Sequence, residues 1–217
     1  LSISYVALGD SLSVGVGSSF FAPGFVQRFK RISERELQQR VNLRVVARSG
    51  FDTSNVLAEV KNEFIQKNLK EADIITITAG QTDLIKAVES YGKDKDEEKL
   101  TEALTTSKKN MSKMIHEINQ LKQESEQAYI IRICNLYNPF PDKEHANKWV
   151  QKFNQHLQGF HNKAHIKVAD VYGAYKSHEK DYQSFDGVHL NERGYDMMAT
   201  LLKDLNYGKL KKQEVNK

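Results

Sequence analysis

A single cysteine, three prolines and one tryptophan are spread over 217 residues. One cysteine excludes an internal disulfide, and Cys134 lies in the apolar run YIIRIC, where a buried small hydrophobe is the expected role. No stretch rich in Pro, Gly or Ser marks a linker, and no internal repeat is present, so one domain is expected, long enough to bury a substantial core. No apolar run approaches the roughly 18 residues of a membrane-spanning helix, so no integral membrane segment is expected. Charge of one sign is lacking too. The 32 Lys and Arg are interspersed with 28 Asp and Glu for a net +4, which describes a solvated surface rather than a nucleic-acid footprint. No targeting segment precedes the first apolar run. The chain starts at Leu1 rather than Met, as a trimmed or mature form would, so that absence does not fix a compartment.

What is present alternates. Short runs rich in β-branched residues, Ile3–Leu8, Leu43–Ala47, Ile74–Thr78, Tyr129–Cys134 and Ile166–Val168, read as strands covered on both faces. Helical spacing of apolar residues fills Phe25–Gln39, Leu100–Leu121, Glu144–Leu157 and Asn191–Leu205. This order predicts a three-layer α/β/α sandwich on a mainly parallel, five-stranded sheet. The polar run Tyr91–Lys99 reads as an exposed loop, and the end of the chain from Tyr207 as a fraying tail. The division is a domain over residues 1–207 and a polar tail over 208–217. The four lysines of that tail are diluted by Glu214 and polar residues, which argues against a membrane contact there.

Ligands of open α/β sheets gather at the carboxyl ends of strands. Three such ends carry glycine and small polar residues: GDSLSVGVG after the first strand, ARSGFDTSNV after the second and AGQTDL after the third. Gly15 and Gly17 begin a G-x-G, but the third glycine of a dinucleotide fingerprint would fall on Phe20, and no Gly-Lys-Ser/Thr is present for a P-loop. Asp10, Ser11 and Ser13 are all good helix caps. A nucleophilic Ser11 needs an imidazole to take its proton and a carboxylate to orient that imidazole. Asp186 and His189, three apart in SFDGVHLNERG, can supply both from one turn, although a capping role suits them equally on this segment alone. His116-Glu117 lacks the second histidine of H-E-x-x-H, and His156, His161 and His165 lack a cysteine or carboxylate at ligand spacing, so no metal site is expected.

Read together, GDSL at Gly9–Leu12, Ser49-Gly50, the G-x-x-D of Gly80–Asp83 and the D-x-x-H of Asp186–His189 resemble the SGNH (GDSL) hydrolase family of esterases, lipases and related acylhydrolases. Within it, the short chain and the LYNPFP segment are similar to compact bacterial GDSL-type lipases. The resemblance implies Ser11 as nucleophile, His189 as general base and then acid, and Asp186 as its orienting carboxylate. It also implies an oxyanion hole from the Ser11 and Gly50 N–H groups and a block III asparagine, with neither metal nor cofactor. That asparagine is Thr82 here, and loss of one well-placed oxyanion donor costs about a hundred- to a thousandfold in turnover. Gln81 carries an amide, but adjacent residues point in different directions, so simple replacement is not expected. Phe20, Phe21, Phe51, Tyr137 and Phe140 lie in loops expected to face the site and to line an apolar acyl pocket. The implied partner is a small-molecule or lipid ester, of lysophospholipid type or with short to medium acyl chains. Carbohydrate deacetylation is the enzymatic alternative. A ligand-binding protein with weakened turnover is the alternative that Thr82 raises. Resemblance to Gram-positive proteins of this type implies an exported or cell-surface location.

Overall fold

A computed structural model of the protein describes residues 2–19, 22–123, 125, 127–162 and 164–211. Strands β1 (Ser2–Gly9), β2 (Arg40–Ala47), β3 (Ile74–Thr78), β4 (Ile130–Cys134) and β5 (Ile166–Ala169) form a sheet in the order β2-β1-β3-β4-β5. Every pairing between them is parallel. The helices are α1 (Ser11–Val14), α2 (Phe25–Leu37), α3 (Thr53–Val60), α4 (Glu63–Glu71) and α5 (Gln81–Asp94), then α6 (Glu97–Gln123), α7 (Glu144–Gln158), α8 (Val171–Tyr175), α9 (Glu179–Tyr182) and α10 (Glu192–Asp204).

Alternation along the strands builds the two faces. Val6, Leu8, Ile75, Ile77, Ile131 and Ile133 join one apolar cluster with side chains from α3 through α7. Tyr5, Ala7, Ile74, Ile130 and Cys134 join a second with α2, α8 and α10. The result is a helix layer on each side of the sheet, the α/β/α sandwich expected. Register then aligns the carboxyl ends: Gly9 sits beside both Ala47 and Thr78, so the turns after β1, β2 and β3 emerge along one edge.

Three expectations need correction. β2 is not covered on both faces: it is an edge strand, begins three residues earlier than the apolar run, and exposes Arg40, Asn42, Arg44 and Val45. Charged residues on an edge discourage pairing with another chain. The loop expected over Tyr91–Lys99 shrinks to Lys95 and Asp96. Lys95 closes α5 in the left-handed region at φ 56°, and the Asp96 carboxylate accepts from the Glu98 and Lys99 N–H groups to open α6. The polarity there belongs to solvated helix ends. Lastly, Tyr207 stacks on Phe29 at 5.9 Å and Leu210 is buried, so the chain stays packed through Leu210, with residues 212–217 outside the described residues.

Arg132, in the middle of β4, is buried on the second face, beside its register partner Lys167 of β5. Its guanidinium donates to Ile131 O and His165 O, each at 3.0 Å, and to Asn206 O at 2.6 Å, just past the end of α10. The cation thus satisfies carbonyls at the negative end of that helix. Burial pushes its pKa down to about 10, still well above neutrality. Replacing Arg132 with Met removes these donors, although His165 O keeps the Ile131 N–H, and is expected to cost about 2–3 kcal/mol, partly offset by relief of a buried charge. Urea denaturation reads this directly, and an unchanged midpoint would refute it.

Candidate active site

The β1 strand ends at Gly9, and Asp10 caps the single turn of α1 by accepting from the Leu12 N–H at 3.0 Å. The cap is therefore Asp10, which leaves the Ser11 hydroxyl uncommitted to the helix. Asp10 is fully buried and also accepts from Thr78 Oγ1 at 2.9 Å, while Oδ2 has no partner among the described residues. Burial pushes its carboxyl up to about 6, against those hydrogen bonds. Gly15 in the left-handed region ends α1 at once and turns the chain toward Gly17.

The Ser11 Oγ lies 3.0 Å from His189 Nε2, and His189 Nδ1 lies 2.6 Å from Asp186 Oδ2. Ser11 and His189 are 178 residues apart in sequence. Burial raises the Asp186 pKa, but hydrogen bonds from the His189 N–H and ring, the Val188 N–H and the Ser184 hydroxyl outweigh it and hold the carboxyl well below the usual range. A charged carboxylate keeps the proton on Nδ1, so Nε2 is left to accept from the serine. The turn itself is tied down. The Gly187 N–H donates to Ser184 O, the Ser184 N–H to His189 O, and the Tyr137 hydroxyl to Val188 O at 2.6 Å. Gly17, at φ 93°, packs its Cα against this turn: a Cβ there would meet Leu190 O at 2.5 Å and His189 Cβ at 2.8 Å. The Tyr195 hydroxyl, from α10, donates to Val16 O beside it. The turn that carries Ser11 and the turn that carries His189 are thus packed backbone to backbone.

After β2, Gly50 adopts φ 83° in an exposed loop whose Phe51 N–H returns to Arg48 O. Thr82 is half-buried in the first turn of α5. Gln81 beside it is buried on the inward face with Leu84 and Val88, its amide unpartnered among the described residues. Asp83 is the residue that sequence reasoning passed over. Its Oδ2 accepts from the Thr53 N–H at 2.9 Å and its Oδ1 from the Thr53 hydroxyl at 2.7 Å, with Ser107 Oγ also at 2.9 Å. The signal was there, since Asp83 closes the G-x-x-D block.

The aromatic residues divide. Tyr137, expected to line a pocket, is fully buried with its ring tilted against Tyr175 at 4.6 Å; its hydroxyl is spent on Val188, so it braces the histidine turn instead. Phe51 and Phe140 are half-buried against the core, under Arg48 and Lys143 respectively. Phe20 and Phe21 lie outside the described residues. Phe185, which the sequence reading left aside, is fully exposed between Ser184 and Asp186, and Val14 is exposed at the end of α1. Two of the three spaced histidines serve the scaffold: His156 Nε2 contacts Ser112 Oγ and Lys108 O, and His165 stacks on Tyr129, while His161 is exposed.

Residues 7–197 match the GDSL-like lipase/acylhydrolase family. The chain belongs to that family. The GDSL-like chain is 46% identical over 210 residues to a spore germination lipase, LipC, of Bacillus licheniformis, covering 97% of this chain and 99% of the relative. It superposes with a TM-score of 0.92 on the crystal structure of the lipase Lip_vut3 from a goat rumen metagenome, at 46% identity, covering 96% of this chain and all of that one. A lipase/acylhydrolase of Enterococcus faecalis, at 19% identity and a TM-score of 0.64 over 95% of this chain and 96% of that one, shares the fold. This GDSL-like protein is a carboxylic ester hydrolase. Among its described residues no helix is long and apolar enough to cross a membrane.

Proposed function

We propose that the protein hydrolyses esters with an apolar acyl chain through a Ser11-His189-Asp186 triad. The observation that carries this reading is the unbroken line from the Ser11 hydroxyl through His189 to the Asp186 carboxylate. The Ser11 Oγ attacks the ester carbonyl as its proton passes to His189 Nε2. The oxygen of the tetrahedral intermediate takes up negative charge, which the Ser11 and Gly50 N–H groups and the Thr82 hydroxyl stabilise. His189 gives its proton to the leaving alcohol as the ester C–O bond breaks. Water, deprotonated by His189, then attacks the acyl-enzyme, and the acid leaves as Ser11 recovers its proton. Phe185 and Val14, exposed on the turns that carry Asp186 and Ser11, favour an apolar acyl chain over acetate.

A fluorophosphonate probe followed by peptide mapping tests the triad. Rapid labelling at Ser11 that is lost in His189→Ala is expected; labelling elsewhere, or none in a folded protein, overturns it. A nitrophenyl ester series tests the acyl preference, with kcat/KM rising from acetate toward octanoate; a maximum at acetate returns the reading to a deacetylase. The oxyanion hole has its own test. Thr82→Asn restores an amide donor, so turnover should rise about tenfold, within the range that one donor spans. No gain would show that the threonine hydroxyl is already placed for this site.

A further inference from the structure

We infer that Asp83 is a positioning residue for ester hydrolysis, a clasp that fixes the Gly50 N–H of the oxyanion hole relative to Ser11. The inference rests on the triad reading above. A Cβ placed at Gly50 would meet nothing within 4 Å, so no neighbour holds it from that side. Its loop is held by Phe51 against the core and at its base, three residues on, where α3 begins at Thr53. There Asp83 takes both the N–H and the hydroxyl of Thr53. One turn further along α5, Lys86 Nζ grips Asp52 Oδ2 at 2.8 Å. From the other side, α6 closes the arrangement. Ser107 Oγ reaches Asp83 at 2.9 Å, with Ala103 O also 2.7 Å away, and the Asn110 amide donates to Thr53 Oγ1 and Ser54 Oγ, both at 3.0 Å. Thr53 is completely buried and Ser107 almost so, which shields the donors of these bonds, while Asp83 itself is half-buried.

The arrangement has a chemical point. The parts of the proposed hole come from three separate connections, after β1, β2 and β3. Asp83 is one residue from Thr82 and bonds directly to the segment that follows Gly50. One carboxylate thus joins two of the three parts to each other. Hydrogen-bond donors aimed at a developing oxyanion lose most of their effect when displaced by about 1 Å, at a cost of about a hundredfold. A clasp of this kind acts on the transition state and leaves binding of the uncharged ester largely alone.

The test is Asp83→Asn, whose amide retains one acceptor and replaces the other with a donor facing N–H or O–H. Turnover of nitrophenyl butyrate should fall about 30- to 100-fold, with KM within about twofold. Affinity for butylboronic acid, which forms a tetrahedral adduct on the serine, should fall by the same factor as kcat/KM. The downfield proton resonance of His189 Nδ1 should persist, because the triad is untouched. Ser107→Ala, which removes one bond of three, should lose less than tenfold, and it carries the test together with Thr53→Ala should Asp83→Asn fail to fold. Unchanged turnover in these variants overturns the clasp, as does a rise in KM that accounts for the loss or disappearance of the Nδ1 resonance. Absence of Ser11 labelling in the unmutated enzyme is a different result, and removes the triad reading itself.

Discussion

Ser11→Ala lowers ester turnover by about 10⁴- to 10⁶-fold, the range seen when a catalytic serine is removed from a hydrolase. The substitution deletes one oxygen from a nearly buried side chain whose neighbours are set by backbone contacts, so the fold should be unaffected. His189→Ala should cost about as much. Combining the two should add little, because each acts only through the other. Steady-state assays on nitrophenyl butyrate, with thermal melts run in parallel, measure both quantities. Residual turnover within tenfold of the parent in a folded Ser11→Ala protein would place the nucleophile elsewhere.

Asp186→Asn should cost about 10³- to 10⁴-fold in kcat at neutral pH, and the hydrogen bonds say why. Oδ1 of Asp186 accepts from the Ser184 hydroxyl and from the Val188 and His189 N–H groups. Those donors compel an asparagine to place its oxygen there, so its amide NH₂ takes the position of Oδ2 and faces His189 Nδ1. A donor at Nδ1 drives the imidazole proton to Nε2, the wrong tautomer for accepting from Ser11. The carboxylate also marks the pH dependence of stability. Its folded pKa lies below the unfolded value near 3.9, so its contribution is present above that value and is lost as pH falls through the folded pKa. Asp10 runs the other way. Its folded pKa is raised to about 6, so the stability linked to its proton is complete in acid below the unfolded value and is lost as pH rises through about 6. The difference in urea midpoint between the parent and Asp186→Asn should therefore shrink on acidification from pH 5 to 2. A constant difference would show that the carboxylate's charge is not what holds the turn.

Sequence carried the architecture because the strands are nearly pure apolar runs and their ends carry glycine. It missed α4, which is short and strongly polar and buries only Ile65 and Leu69. The loop misread over Tyr91–Lys99 has the same cause, since a solvated helix end and a loop share a composition. Ser11, Asp186 and His189 were legible because their residue types and chain order are specific. Tyr137 was not. Its aromatic ring suggested a pocket wall, and only the fold brings its hydroxyl to Val188, 51 residues away. Asp83 was quoted as part of a motif, but its purpose depends on Thr53 and Ser107, which no spacing rule links to it.

The backbone contact between Gly17 and the histidine turn has a consequence for how the protein comes into being. Ser11 leaves the ribosome 178 residues before His189, and earlier still than Tyr195 of α10, which anchors the Gly17 segment. On the proposed triad, a growing chain therefore carries an inert hydroxyl until those later residues have been made. Hydrolytic capacity through that triad would arrive only when α10 docks and the two distant turns close on each other. On that reading, the first turnover reports that the two turns have met.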